Sequence, residues 1–308
     1  MSTALAIPDL AILACANLPS PNTRRVYERH IRAFLDSGYP LDRTGVSLWV
    51  QSMRANNVGP PTITQALAAI RKLADEARLH GMLTELDTWG ISEVKQKTQP
   101  GNKAGMWLQK NQVKTLYSLP NRETLSGKRD AAIFALLIGC GLRRSEATSI
   151  TWVHYAERDG RMALVDFIGK GGKIRTVGVS RGAARDLDAW LAVLEYYGVA
   201  DDDSPILRNL RHEDDVSQPL SDSGLWCIVT QYAAEMHLDF SPHDLRRSMA
   251  KLMHKAGVEL TQIQLILGHA DLMTTKRYLG LDLELAPGLA GTDAIDIDLD
   301  EASKYLED

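Results

Sequence analysis

Between Met162 and Val179 the chain reads MALVDFIGKGGKIRTVGV: two short runs of alternating or β-branched character, 162–168 and 174–179, around Gly169-Lys170-Gly171-Gly172. This pattern predicts an antiparallel hairpin with the glycine-rich tetrad as its loop. On both sides the apolar spacing is helical instead. Downstream, helices are expected at 181–197, 223–237, 243–256, 261–267 and 274–279. Upstream, one is expected at 109–118, and a strongly apolar one from Asp130 to Ile138 runs into Gly139-Cys140-Gly141. The fold class is therefore mainly α, with a small antiparallel sheet in its second half.

Farther toward the N-terminus the pattern is wholly helical. Thr23 is the expected cap of a helix in which Tyr27, Ile31, Phe34 and Leu35 share a face, ended by Gly38 and Pro40. A helix over 46–55 follows. Pro60-Pro61 then opens a third, whose stripe is Ile63, Ala66, Leu67, Ile70, Leu73, Ala74 and Ala77, with a short helix near Ile91. Residues 4–16 read as an amphipathic helix and not as a signal peptide, because no Lys or Arg precedes Arg24 and Pro8-Asp9 interrupts the apolar run. Lys, Gln, Thr, Pro, Gly and Asn dominate the stretch up to Gly105, so it reads as a linker. The expected organisation is a helical domain at 1–95, a linker at 96–105, an α+β domain at 106–280 and a tail at 281–308.

The 308 residues are 44% hydrophobic and 24% charged, the composition of an ordinary globular chain. No run approaches the ~18 apolar residues of a membrane span, so no membrane partner is expected. Three scattered cysteines, Cys15, Cys140 and Cys227, offer no metal or redox spacing and suit a reducing, cytoplasmic setting. The net charge of -4 hides an asymmetry. From Leu281 to Asp308 nine acids face one lysine, which leaves 34 basic against 30 acidic residues in the rest. The body can present a basic face, and the excess acid belongs to the tail.

Four segments of the second domain concentrate groups suited to an anionic substrate. They are Gly141-Leu142-Arg143-Arg144-Ser145-Glu146, the hairpin loop with Lys170, Lys173 and Arg175, His243-Asp244-Leu245-Arg246, and Leu267-Gly268-His269 with Tyr278 nine residues on. Each alone is ordinary. Arg143 and Glu146 have the spacing of a surface ion pair, Lys170 that of a solvated turn, and His269 that of a cation beyond a helix C-cap.

Together, in this order, the segments resemble the tyrosine recombinases of the phage integrase family, and the resemblance covers the whole chain. It implies a helical core-binding domain joined to a catalytic domain, closing on duplex DNA as a clamp, and metal-independent, site-specific strand exchange through a covalent 3′-phosphotyrosine with a free 5′-hydroxyl. No cofactor or metal is implied. The implied catalytic residues are Arg143, Lys170, His243, Arg246, His269 and Tyr278, with Glu146 behind them orienting Arg143 or His243. The chemistry is consistent with those types. Arg offers two parallel donors to the non-bridging oxygens of a phosphodiester, a phenol can act as nucleophile and later as leaving group, Lys170 can protonate the departing 5′-oxygen, and the two histidines can relay protons. Lys173 is a rival for Lys170, and Arg247 stands where many family members have His. Phosphate-binding cations are expected at Arg24, Arg25, Arg29, Arg71 and Lys72 in the first domain and at Lys173, Arg175 and Arg247 in the second. The partners implied are double-stranded DNA carrying a specific recombination site and further copies of the chain, a dimer on one site and a tetramer in synapsis, in a nucleoid-associated, cytoplasmic location. A monomeric type IB topoisomerase and a catalytically silent DNA-binding accessory protein are the alternative readings.

Overall fold

The computed structural model describes residues 7–18, 20–96, 106–169, 171–210 and 215–281. The chain divides into two compact units, Met1–Gly101 and Asn102–Asp308, a boundary inside the stretch read as a linker.

Among its described residues the first unit holds five helices: α1 (Ile7–Ala16), α2 (Pro21–Asp36), α3 (Arg43–Ala55), α4 (Pro60–Leu79) and α5 (Glu85–Ser92). Its core is the α4 stripe, with Ile63, Leu67, Ile70 and Leu73 at most 2% exposed, packed with Leu10, Ile31, Phe34 and Trp49. Each large aliphatic side chain so buried stabilises the bundle by about 1.5–3 kcal/mol. The cap of α2 is Ser20 and not Thr23, because helix formation starts at Pro21, whose missing N–H costs nothing there. Asp42 starts α3 earlier than its apolar pattern suggests, accepting from Gly45 N at 2.7 Å.

In the second unit α6 (Lys110–Ser118) leads to α7 (Leu125–Phe134), which runs on as a π-helical turn, Ala135–Gly139. Next come α8 (Arg144–Ser149), β1 (Tyr155–Arg158), β2 (Arg161–Ile168) and β3 (Ile174–Gly178). The helices α9 (Arg181–Tyr196), α10 (Asp222–Glu235), α11 (Pro242–Lys255), α12 (Leu260–Leu267) and α13 (Leu272–Leu279) complete it. The sheet is antiparallel in the order β1-β2-β3. The glycine loop joins β2 and β3 as read from the sequence, whereas β1 is an addition. Its partner register, Arg158 opposite Arg161, leaves Asp159-Gly160 as a two-residue turn with both φ positive, the geometry that favours Asp-Gly. The core gathers Phe134, Leu136, Leu142, Leu164, Trp190 and Phe240 between helices and sheet, and Trp190 Nε1 donates to Ile206 O at 2.7 Å. No described helix is long and apolar enough to cross a membrane.

Candidate active site

The π turn ends at Gly139, and the chain leaves it through Gly141 and Leu142 into α8. At the start of α8 Glu146 closes a capping box on Arg143, its Oε2 accepting from Arg143 N at 2.8 Å. The same carboxylate accepts from Arg143 Nη1 at 2.7 Å and from Arg175 Nη2 and Nη1 at 2.7 and 3.0 Å, with Arg246 Nη1 at 3.6 Å. Glu146 is 4% exposed and thus a buried anion ringed by three guanidiniums. Burial alone would push its carboxyl up, but the hydrogen bonds from Arg175 and from the Arg143 backbone, with the surrounding positive charge, hold it at about 2.

Arg246 lies on the first turns of α11, whose N-terminus is fixed by reciprocal bonds between Ser241 and Asp244. Only 1% exposed, it donates through Nη1 to Gly141 O and through Nη2 to Leu267 O, tying together the segments that carry Arg143 and His269. Burial first, and then the nearby Arg143, lower its pKa to about 10, so it stays cationic at neutral pH. Gly268 ends α12 in the left-handed conformation, φ 60°, which favours glycine. The turn then presents His269, whose Nδ1 lies 3.0 Å from the buried Thr275 Oγ1 on α13.

One helical turn beyond Thr275, Tyr278 projects between the two histidines, its ring 5.2 Å from each and edge-on to both. Its hydroxyl donates to His243 O at 3.2 Å, and the Arg247 guanidinium lies 5.0 Å from its ring centre. Burial raises the phenol pKa against the lowering pull of Arg246 and Arg247. Burial and then the Arg246 and Arg143 charges depress His269 to about 4, and the surrounding protein, then Arg247 and Arg246, lower His243 as well. Both shifts favour the neutral imidazole, the form that can accept a proton.

Five of the six expected catalytic residues, Arg143, His243, Arg246, His269 and Tyr278, therefore meet in one cluster with Glu146 behind them. Lys170 lies outside the described residues. Among the phosphate-binding candidates, Arg25, Arg29, Lys72 and Lys173 are exposed. Others are placed differently from the expectation. Arg71 donates to Ser92 O and Val94 O at 3.1 and 2.9 Å, because the carbonyls at the end of α5 need donors. Arg24 caps α1 in the same way, through Ala16 O at 3.0 Å. Arg175, expected on a DNA-facing surface, is instead buried against Glu146 and over the Phe167 ring. Arg247 is occupied by Tyr278 and by Asp244 at 3.3 Å. Thr275 escaped the sequence reading altogether. Its signal is helical spacing, since a polar residue three before Tyr278 shares its face. No group of three or more His, Cys, Asp or Glu side chains able to hold a metal ion occurs among the described residues.

Residues 106–284 match the family model described as the phage integrase family. The chain belongs to the phage integrase family. As an integrase-family protein it is an enzyme of the class that cleaves and rejoins DNA, a tyrosine recombinase. It is 29% identical over 279 residues to a tyrosine recombinase of Synechococcus elongatus, covering 84% of each chain. It is also 28% identical over 270 residues to the tyrosine recombinase XerA of Thermococcus onnurineus, covering 86% of each. Its fold is similar to that of the XerH site-specific recombinase in a post-cleavage complex with a palindromic difH substrate, with a TM-score of 0.70, 16% identity, and 92% of this chain and 94% of that one covered.

The site makes acid stability a readout of its charge balance. Glu146 falls from an ordinary 4.5 to about 2 and His269 from 6.5 to about 4. Both folded-state values are depressed, so the folded chain binds fewer protons than the unfolded one, and the stability present above each ordinary value is lost as pH falls through the window. The urea midpoint of the wild type is expected to decline from pH 6.5 to 4 through His269 and from pH 4.5 to 2 through Glu146. His269→Gln should flatten the first limb and Glu146→Gln the second. A midpoint constant between pH 6.5 and 4 would contradict the assigned environment of His269.

Proposed function

We propose that this chain is a site-specific DNA recombinase in which Tyr278 attacks the scissile phosphodiester, forming a 3′-phosphotyrosine and releasing a 5′-hydroxyl. The observation that carries the proposal is the Tyr278 ring set between the imidazoles of His243 and His269, in one cluster with two arginines that share a buried carboxylate. In the forward step the phenol oxygen bonds to phosphorus, and its proton passes to His269 or His243. The bond to the 5′-oxygen breaks, and that oxygen takes a proton from Lys170. Arg143 and Arg246 neutralise the non-bridging oxygens while charge builds on them, through a preorganised field that costs no reorganisation. The tyrosyl ester keeps the energy of the broken bond. A second 5′-hydroxyl can therefore reverse the step and rejoin DNA without an external energy source.

The first unit supplies duplex contacts through Arg25, Arg29 and Lys72, and the affinity that such phosphate contacts provide falls steeply with salt. The chain works in the cytoplasm on nucleoid DNA, as a dimer on one site and a tetramer in synapsis. The reading is tested by incubating the protein with nicked genomic fragments and sequencing whatever becomes covalently attached. Adducts at one recurrent sequence support site-specific recombination. Adducts spread without sequence preference favour a topoisomerase, and none at all sinks the reading.

Lys170 and Lys173 are separated by leaving-group chemistry. Lys170→Ala should slow cleavage of an ordinary phosphodiester by about 10²–10⁴-fold, the span of a general acid. It should leave a 5′-bridging phosphorothiolate nearly unaffected, since a thiolate departs without a proton. Rescue of Lys173→Ala instead would reassign the acid.

The acidic tail, residues 281–308, lies outside the described residues beyond Leu281, and its role rests on its sequence. Ile295, Ile297 and Leu299 alternate with Asp296, Asp298 and Asp300, a pattern with one apolar side. We assign it to the catalytic unit of a neighbouring copy. There an apolar groove of about 1110 Å³, lined by Ile138, Met162, Val179 and Met253 and bordered by Arg161 and Arg185, matches it in polarity and charge. Deleting residues 283–308 should preserve binding to a single site and reduce cooperative assembly and recombination of two. A truncated protein recombining at the wild-type rate would refute the docking.

A further inference from the structure

Arg175 carries no step in the reaction proposed above, yet it is among the most constrained cations in the molecule. Its side chain is 8% exposed, its guanidinium lies 4.4 Å from the Phe167 ring centre, and it grips both oxygens of Glu146. Two glycines make room for it. A Cβ at Gly169 would lie 2.3 Å from Arg175 Nη1, and a Cβ at Gly268 would lie 3.1 to 3.4 Å from Nη1, Cδ and Cζ. Neither position can carry a side chain unless the guanidinium moves. Gly169 immediately precedes Lys170, Gly268 immediately precedes His269, and Glu146 holds Arg143. One buried guanidinium thus abuts three segments, each continuing into a group that acts on the phosphate.

The reason lies in how a carboxylate shares its lone pairs. With Arg175 bound to both oxygens, Glu146 accepts from the Arg143 guanidinium through Nη1, at 2.7 Å, while Arg143 Nη2 reaches Gly268 O at 3.5 Å. Remove Arg175, and Glu146 keeps its charge but loses two of its donors. Arg143 and Arg246, the same groups the phosphate needs, lie within ion-pair distance of that charge and are drawn toward it.

We propose that Arg175 is a positioning residue of the phosphate clamp: by saturating Glu146 it keeps Arg143 presented to the scissile phosphate, and it sets the spacing between the lysine hairpin and the His269 turn. This rests on the reading of the site given under the proposed function.

The test compares wild type, Arg175→Met, Arg175→Lys, Glu146→Gln and the Arg175→Met/Glu146→Gln double variant in single-turnover adduct formation on a nicked duplex carrying the recovered site. Arg175→Met should slow adduct formation about 10- to 100-fold, as losing the outer partner of a directly acting group does. Arg175→Lys should fall between, because an ammonium cannot match a carboxylate with two parallel donors. Binding of the duplex and its salt dependence should not change. Two readouts separate positioning from a merely structural role. With a neutral methylphosphonate at the scissile position, which has less charge to clamp, the defect should shrink to a few-fold, whereas a 5′-bridging phosphorothiolate should not rescue it. In the Glu146→Gln background, Arg175→Met should add less than about threefold, since residues acting through one another are not additive. If Arg175→Met does not fold, Arg175→Lys, which keeps the charge and the stem, carries the same readouts. A salt slope reduced by about one would make Arg175 a phosphate ligand and overturn the proposal. So would wild-type rates, a defect unchanged on the methylphosphonate, or full additivity with Glu146→Gln. Absence of any wild-type adduct would overturn the reading of the site and this proposal with it, whereas a normal wild-type adduct with unaffected variants overturns the role of Arg175 alone.

Discussion

The Tyr278→Phe protein is expected to bind duplex DNA with wild-type affinity and salt dependence and to form no covalent adduct with it. The substitution removes one oxygen and no positive charge, so the phosphate contacts that dominate affinity are untouched. Structurally little else depends on that oxygen. Its one hydrogen bond, to His243 O at 3.2 Å, is worth about 0.5–1.5 kcal/mol, while the edge-on contacts to His243 and His269 and the contact to Arg247 belong to the ring that Phe retains. The melting temperature should therefore stay within a few degrees of wild type. Denaturing electrophoresis of radiolabelled DNA checks the result, and a protein–DNA adduct from the Phe variant would remove Tyr278 from the role of nucleophile.

Arg143→Ala and Arg246→Ala should each slow cleavage by at least about 10²–10³-fold, the loss typical of one preorganised donor to a developing oxyanion. They should differ in what they do to the fold. The Arg143 side chain is 21% exposed and returns to water easily. Arg246, 1% exposed, satisfies the carbonyls of Gly141 and Leu267 and lies beside the Glu146 anion, so its removal strands buried acceptors. Breaking such a buried arrangement costs about 3–5 kcal/mol. Urea denaturation should thus separate the two variants that adduct kinetics cannot. Because both arginines and Lys170 supply the charge neutralisation themselves, EDTA should leave wild-type cleavage unchanged. Cleavage abolished by the chelator on a purified, bound substrate would make the metal-independent mechanism wrong.

The parts of the site that were legible in the sequence are those written in local spacing. Gly-Leu-Arg-x-x-Glu contains its own capping box, His-x-x-Arg places two groups on one helix face, and Leu-Gly-His ends a helix in the one backbone conformation that favours glycine. Each reports a geometry that the adjoining residues enforce by themselves. Arg175 was misread because nothing near it in the chain reveals that Glu146, 29 residues earlier, lies against it. Arg71 was misread for the same reason, since its partners are backbone carbonyls at the end of another helix. In the fold, the helices followed from their apolar stripes, and the shifted starts of α2 and α3 reflect caps, Ser20 and Asp42, that lie outside those stripes. The strand Tyr155–Arg158 was missed although Asp159-Gly160 announces its turn, because four residues, two half-buried and two exposed, carry little apolar alternation of their own.

The most direct test of the account is the chemical identity of the protein–DNA link. Wild-type protein is allowed to react with a nicked duplex carrying the recovered site in the presence of EDTA, the adduct is digested with trypsin, and the peptide attached to DNA is sequenced by mass spectrometry. The account predicts a single peptide, Tyr278-Leu279-Gly280 and onward, joined through the Tyr278 oxygen to a 3′-phosphate, with a free 5′-hydroxyl on the released strand. A link through any other residue, a 5′-phosphate attachment, or no adduct without metal would contradict it.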